Sequence, residues 1–259
     1  MVRRVVLVLM ILGWMAPSAT AEPWYRGKYG RNRVTHLTIT VGVGTAWLAT
    51  TLLKGSLVSD CRWCEPPGFD RATRDALVWN NTGRAGTLSS LNVYVVSPIA
   101  AFGLLVLSDH DASASRLIDD LLPIAETVVF TQLAVHLLKL GVKRQRPEVR
   151  FGTATGAPTA SDNLSFPSGH SSLGFALTTS AGLVAHWRHY WTEPYIWGVG
   201  ITLSLATEYL RVAADKHYLS DVLAGGLVGV GAGLLVPRLM RRELKIVPVA
   251  NGAALAGQF

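Results

Sequence analysis

The sequence predicts an all-α protein, a membrane-embedded helical bundle of about five to six apolar helices. Three observations predict it. Of 259 residues, 49% are hydrophobic and only 16% charged, and the mean hydropathy is +0.31, which excludes both a disordered chain and a charge-rich soluble domain. Six apolar stretches of helical length follow one another, at 35–53, 91–107, 121–140, 172–187, 195–210 and 219–236. Small residues recur inside them, notably Gly225, Gly226, Gly229, Gly231 and Gly233, as close helix packing in a bilayer requires.

The elements before and after this array follow from local composition. Residues 1–21 have Arg3 and Arg4, an apolar stretch at 5–16 and Ala19-Thr20-Ala21, the layout of a secretory signal peptide. The apolar stretch is shorter than the ~20 residues that cross a bilayer, which favours cleavage over anchoring. Residues 22–90 form an N-terminal segment with one apolar helix and a loop carrying Cys61 and Cys64; residues 91–245 form the helical core, and 246–259 a C-terminal tail. The two cysteines have the spacing of half a zinc site, but no second pair completes four ligands. A local disulfide is expected if the loop is exported, and free thiols otherwise.

Net charge is +7 and the pI about 9.7, yet the basic residues lie between apolar stretches without the interleaved aromatics of a nucleic-acid surface. Membrane lipids and a phosphate-bearing lipid are the expected partners; neither nucleic acid nor an obligate protein partner is expected. Arg238, Arg241, Arg242 and Lys245 after the last stretch place the C-terminus in the cytoplasm. Six spans would then put the N-terminus there too, against a cleaved signal, whereas five spans with 35–53 not crossing would not. Either way the segments before Ser172 and after Leu210 meet on the outer face of the cytoplasmic membrane.

Three clusters carry chemistry. In KLGVKRQRP, Lys139 ends an apolar helix and Pro147 stops a helix from running on, so the turn between can bring Lys139 and Arg146 toward one point. In FPSGHSS, Pro167 and Gly169 shape a turn, Ser168 is a helix N-cap, and the free N–H groups of the helix start suit an anion, with His170 beside it as proton donor. In RVAADKHYLSD, His217 and Asp221 are four apart, so on a helix the carboxylate orients the ring and leaves one nitrogen as nucleophile, while Arg211 adds a cation. Cations, backbone donors, a proton donor and an oriented nucleophile are what transfer of a phosphoryl group needs, without a metal.

The pattern K-x6-RP, PSGH, R-x5-H-x3-D, at 139–147, 167–170 and 211–221, resembles the signature of the type 2 phosphatidic acid phosphatase and vanadium haloperoxidase superfamily. The resemblance implies that Lys139, Arg146, Ser168, Gly169 and Arg211 bind phosphate, that His217 forms a phosphohistidine, that Asp221 orients it, and that His170 protonates the leaving group and activates water. No metal ligand and no cofactor is implied. The expected activity is that of a metal-independent phosphoric monoester hydrolase on a lipid phosphate or pyrophosphate: phosphatidate, phosphatidylglycerol phosphate, polyprenyl pyrophosphate or a lipid A phosphate. A soluble exported acid phosphatase and a vanadium-dependent haloperoxidase are the alternatives. Leu210 departs from the pattern, where the family usually has Ser, and implies the loss of one auxiliary hydrogen bond. Outside the motifs, Glu126 and His136 are polar within an apolar stretch, Glu208 is placed to hold Arg211, and Asp109-His110-Asp111 reads as a solvated loop rather than a metal site.

Overall fold

The structure, a computed structural model, describes residues 33–58, 60–109, 113–154, 156–241, 244–249 and 252–257. The signal peptide expected at 1–21 lies outside them. Among the described residues the helices are α1 (Arg33–Leu57), α2 (Gly68–Leu77), α3 (Thr82–Leu91), α4 (Ser97–Ser108), α5 (Ala114–Val142), α6 (Pro147–Arg150), α7 (Gly169–Arg188), α8 (Glu193–Ala213) and α9 (Leu219–Arg241). A π-helical turn, Asn92–Val96, joins α3 to α4 into one rod. The chain ends in an antiparallel hairpin of β1 (Leu244–Val249) and β2 (Gly252–Gly257), where the sequence suggested only a tail.

Six long rods therefore correspond to the six apolar stretches, and hydrogen bonds show how they alternate. At one end Arg33 of α1 donates to Asp119 of α5 at 2.7 Å, and Arg188 and Tyr190, at and after the end of α7, donate to Asp120 at 2.6 Å. Ser108 of α4 meets Thr192, which caps α8, at the same end. At the other end Lys54 of α1 donates to Ser161, and Arg211 of α8 to Ser89 of α3. Rods α1, α5 and α8 thus run one way and α3–α4, α7 and α9 the other. This alternation brings the end of α5 and the starts of α7 and α9 together, with all three motifs.

Helix α7 is central: its residues 176–185 are all buried. Leu177, Ala181, Val184 and Ala185 pack with Ala101 and Leu105 of α4, Ile124 of α5 and Ile196 of α8. Outside this core the rods present apolar side chains outward, such as Leu52, Ile99 and Leu227, each more than 60% exposed. Four rods, Arg33–Leu57, Thr82–Ser108, Ala114–Val142 and Leu219–Met240, are long and apolar enough to cross a membrane. With so much apolar surface facing out, the chain is a multi-pass membrane protein. The stretch 35–53, for which a surface position was an alternative, lies within one of these four. The sequence underestimated the second rod, which starts at Thr82 rather than near Leu91, because Thr82-Gly83-Arg84 and the following small residues carry no apolar signal.

Helices α7 and α9 meet through glycine. A Cβ on Gly225 would stand 2.4 Å from the Ser168 carbonyl oxygen, and one on Gly229 would stand 2.4 Å from that of Ser172. The backbone of α9 is thereby pressed against the start of α7, where Ser168 N–H donates to the Asp221 carbonyl at 2.8 Å. Gly231, grouped with these in the sequence, faces open space. Gly225→Ala is expected to lower stability by roughly 1–3 kcal/mol through overpacking, while Gly231→Ala leaves it unchanged or slightly raised. Thermal melting of both variants in detergent checks this; equal shifts would mean the close approach is not a constraint.

Candidate active site

The first motif spans the end of α5 and the loop to α6. Lys143 takes a left-handed conformation, φ 49°, and its N–H closes the last turn on the Lys139 carbonyl at 2.9 Å. The chain then turns, and Arg146 N–H donates to the Asp162 carbonyl at 2.8 Å, so the motif is fastened to the loop preceding α7. Lys139 Nζ donates to the carbonyls of Leu164 at 2.6 Å and Ser165 at 3.1 Å. Arg146 donates to the carbonyls of Ser161 at 2.8 Å and Lys216 at 3.3 Å.

The second motif starts α7. The Phe166–Pro167 peptide is cis. Ser168, fully buried, caps the helix by accepting from Ser171 N–H at 3.4 Å, the N-cap that the sequence predicts. His170 in the first turn has Nε2 3.3 Å from Ser90 Oγ, and its ring stands edge-on to Tyr94 with centroids 5.0 Å apart.

The third motif joins α8 to α9. Arg211, 6% exposed, donates to Ser89 Oγ at 3.3 Å, while its Nε is buried without a partner. Glu208, expected to hold Arg211, instead abuts Gly226, with Oε1 2.6 Å from where a Cβ would be. Leu210, in place of the usual Ser, packs with Trp79 against Ala85, Ala213 and Ala214. His217 is 2% exposed; its Nδ1 stands 3.5 Å from Ser165 Oγ and 3.6 Å from Asp221 Oδ2. Asp221 Oδ2 accepts from Ser165 Oγ at 2.5 Å and Tyr218 N–H at 2.9 Å, and Oδ1 accepts from Arg144 at 2.5 Å. The expected His217–Asp221 pairing is thus loose, with the Ser165 hydroxyl drawn up against both.

The arrangement brings Lys139, Arg146, Arg211, His170 and His217 into one another's electrostatic reach. Burial, reinforced by those neighbouring cations, pushes the His217 imidazole well below its ordinary pKa, so the ring is neutral. Burial also pushes Arg146 down. Cavities of about 370 and 730 Å³ adjoin here, sharing Arg211, Glu148 and Lys216; the first is lined by Arg146 and the loop to Asp162, the second by Ser90, Leu91 and Val95 of the α3–α4 rod.

Several residues here carried no signal in the sequence. Ser89, Ser90 and Tyr94 come from a rod outside the motifs, and Ser165 lies two residues before the second one. Arg144, in the basic run between Lys139 and Arg146, is 1% exposed and bonded to Asp70 and Asp221. Glu126 and His136 do not face this site: Glu126 accepts from His36 at 2.6 Å and His136 bonds the Thr50 carbonyl at 3.2 Å, both fastening α1 to α5. Asp109 pairs with Arg116 at 2.5 Å, and His110 and Asp111 lie outside the described residues. Cys61 and Cys64 form a disulfide.

Fold and site together define a membrane-embedded helical protein with buried cationic side chains gathered at one end of its bundle. Residues 120–245, which contain all three motifs, match the sequence model of the PAP2 superfamily. The chain is 35% identical over 121 residues to a lipid A 1-phosphatase of Rhizobium johnstonii, a match covering 45% of this chain and 46% of the relative. The match thus spans about half the length of that curated relative. Among solved structures, the crystal structure of a transmembrane PAP2 type phosphatidylglycerolphosphate phosphatase from Bacillus subtilis aligns with a TM-score of 0.38 and 18% identity, over 66% of this chain and 92% of the other.

The neutral His217 has a consequence for stability. Its pKa in the folded state lies below the ~6.5 of an unfolded histidine, so the unfolded chain takes up the proton first as pH falls. The stabilisation is complete above about pH 6.5 and is lost progressively below it. Melting midpoints in detergent should fall on acidification below that pH. The fall should be shallower in His217→Gln; parallel curves for the two proteins would contradict a neutral buried ring.

Proposed function

We propose that the chain is a lipid phosphate phosphatase working through a phosphohistidine on His217. The observation that carries this reading is that, among the described residues, no carboxylate bonds directly to the three cations of the cage. Among the described residues, Lys139, Arg146 and Arg211 bond only carbonyl and hydroxyl oxygens, whereas Arg144, Arg74 and Arg188 each pair with a carboxylate. Buried cations left in this state favour an anionic ligand. A phosphoryl group supplies it, and its charge grows on the equatorial oxygens that these side chains reach.

The chemistry follows from the arrangement. With Nδ1 of His217 turned to Ser165 and Asp221, Nε2 is the nitrogen left to attack phosphorus. The nitrogen–phosphorus bond forms as the bond from phosphorus to the lipid oxygen breaks, and His170 gives that oxygen a proton. Water then attacks the phosphohistidine, His170 takes a proton from it, and the electron pair returns to His217. The cations and the N–H groups at the start of α7 hold the phosphate throughout.

Exposed apolar rods beside the cavity support a lipid substrate and tell against the soluble acid phosphatase. The relative supports a lipid A phosphate as the first substrate to try. We place the site on the outer face of the cytoplasmic membrane, as the basic residues after α9 suggest.

Phosphate release by the detergent-purified protein, with EDTA present, tests the reading against a panel of lipid phosphates and soluble esters. Release from one lipid class is expected, with His217→Ala inactive and His170→Ala slower by about a hundredfold or more. Normal release by His217→Ala would remove the phosphohistidine. Bound vanadium with peroxide-dependent halide oxidation, and no phosphate release, would favour the haloperoxidase.

A further inference from the structure

Arg144 stands between the two cage cations of the first motif yet faces away from the cage. Its NH1 donates to Asp221 Oδ1 at 2.5 Å and Ser220 Oγ at 2.7 Å, and its NH2 donates to Asp70 Oδ2 at 2.7 Å. The guanidinium is stacked between the rings of Trp63 at 3.8 Å and Tyr218 at 4.2 Å. Asp70 is fully buried and also accepts from Ser220 N–H at 2.9 Å and Ser220 Oγ at 2.6 Å. Trp63 sits inside the Cys61–Cys64 disulfide loop, whose backbone is bonded to the first motif through Arg62 N–H to Lys143 O and Gln145 N–H to Trp63 O. Helix α2, one turn beyond Asp70, sends Arg74 to Asp215 with two bonds of 2.7 Å.

We propose that Asp70 and Arg144 are positioning residues that set the Asp221 carboxylate, and through it the tautomer and aim of His217. The proposal rests on the reading of His217 as nucleophile. A carboxylate turns freely about its last bond unless both oxygens are engaged. In Asp221, Oδ2 serves Ser165 and the Tyr218 amide beside His217, and Oδ1 is engaged by Arg144 and has no other bond among the described residues. Arg144 would be loose on one carboxylate alone; Asp70 engages the other side of its fork, and two aromatic faces fix its plane. A short polar helix outside the superfamily match thus reaches the chemistry through one arginine.

The experiment is [15N]histidine NMR on the full-length protein in detergent, with the His217 signals assigned by their loss in His217→Ala. A single tautomer protonated at Nδ1 is expected in the unaltered protein, and a mixture of both tautomers in Asp70→Asn and Arg144→Lys. The two variants should also lose roughly 10–100-fold in kcat, the range for groups that orient a catalytic side chain. Their Kd for inorganic phosphate, read from 31P titration, should be unchanged because Lys139, Arg146 and Arg211 are intact. An unchanged tautomer in Asp70→Asn, which is nearly isosteric and keeps the acceptor for Ser220, would overturn the proposal even if Arg144→Lys fails to fold. So would a phosphate Kd that rises in step with the loss of kcat, since general loosening does that. If the unaltered protein releases no phosphate from any lipid, the proposed function fails, while the tautomer comparison still decides the role of Asp70 and Arg144.

Discussion

Positive charge with no carboxylate bonded directly to it, among the described residues, is the constraint around which this molecule is arranged. Lys139 and Arg211 are buried, Arg146 is partly buried, and each rests on neutral oxygens. Two helix starts, at Gly169 and Leu219, point to the same place and add the positive ends of their dipoles. The ends of α5, beside Lys139, and of α8, beside Arg211, contribute the opposite sign. Folding into this state costs free energy that the rest of the bundle must offset, and an arriving anion recovers it. The surrounding charges are treated differently: Arg33, Arg74, Arg144 and Arg188 are each matched to a carboxylate. Carboxylates such as Glu148 and Asp162 line the same cavity as Arg146, yet none bonds directly to the three cage cations among the described residues.

Such a cage holds only if its parts cannot drift, and backbone bonds between distant segments do the holding. Ser165 N–H to the Arg144 carbonyl, Ser168 N–H to the Asp221 carbonyl and Glu148 N–H to the Asp215 carbonyl, all between 2.8 and 2.9 Å, tie the three motifs pairwise. Asp215 sits at φ 58°, a conformation that costs a non-glycine residue energy, and it is kept there by Arg74 and by Thr153 at 2.5 Å. The glycine contact of α9 with Ser168 completes the arrangement. Removing any one tie leaves the remaining two to fix the relative position of three segments.

How much of this could be read in the sequence depends on whether a residue acts by local pattern or by distant contact. The rods follow from apolar stretches long enough to define them, and the Ser168 cap follows from its place before an apolar run. Lys139, Arg146, Ser168, Gly169, His170, Arg211, His217 and Asp221 form spaced motifs, so their convergence was legible. Helix α2 was not, because GFDRATRDAL has the polarity of a surface loop while burying Asp70 completely. Arg144 illustrates the same limit. It shares a basic run with Lys143 and Arg146, and its burial follows from contacts with Asp70, Asp221, Trp63 and Tyr218 that lie far off in the sequence. Glu126 and His136 stand out in the sequence only as polar residues within an apolar stretch, and their partners lie in a helix 80 to 90 residues away.

The α3–α4 rod connects the cage to the membrane. At the end of α3 Ser89 bonds Arg211 and Ser90 bonds His170, so one face of α3 borders the cationic cluster. One residue further along, Leu91 and then Val95 line the wall of the larger cavity, and Tyr94, Val96 and Ile99 are exposed. Within two turns, therefore, the same helix passes from hydroxyl groups beside buried cations to side chains suited to acyl chains. A lipid phosphate, the substrate of the proposed function, would meet both along that helix, and the π-helical turn at Asn92–Val96 falls where the change occurs. A π turn shifts the residues after it around the helix axis relative to those before. Ser89 and Ser90, before the turn, meet Arg211 and His170, while Ile99, beyond it, faces outward.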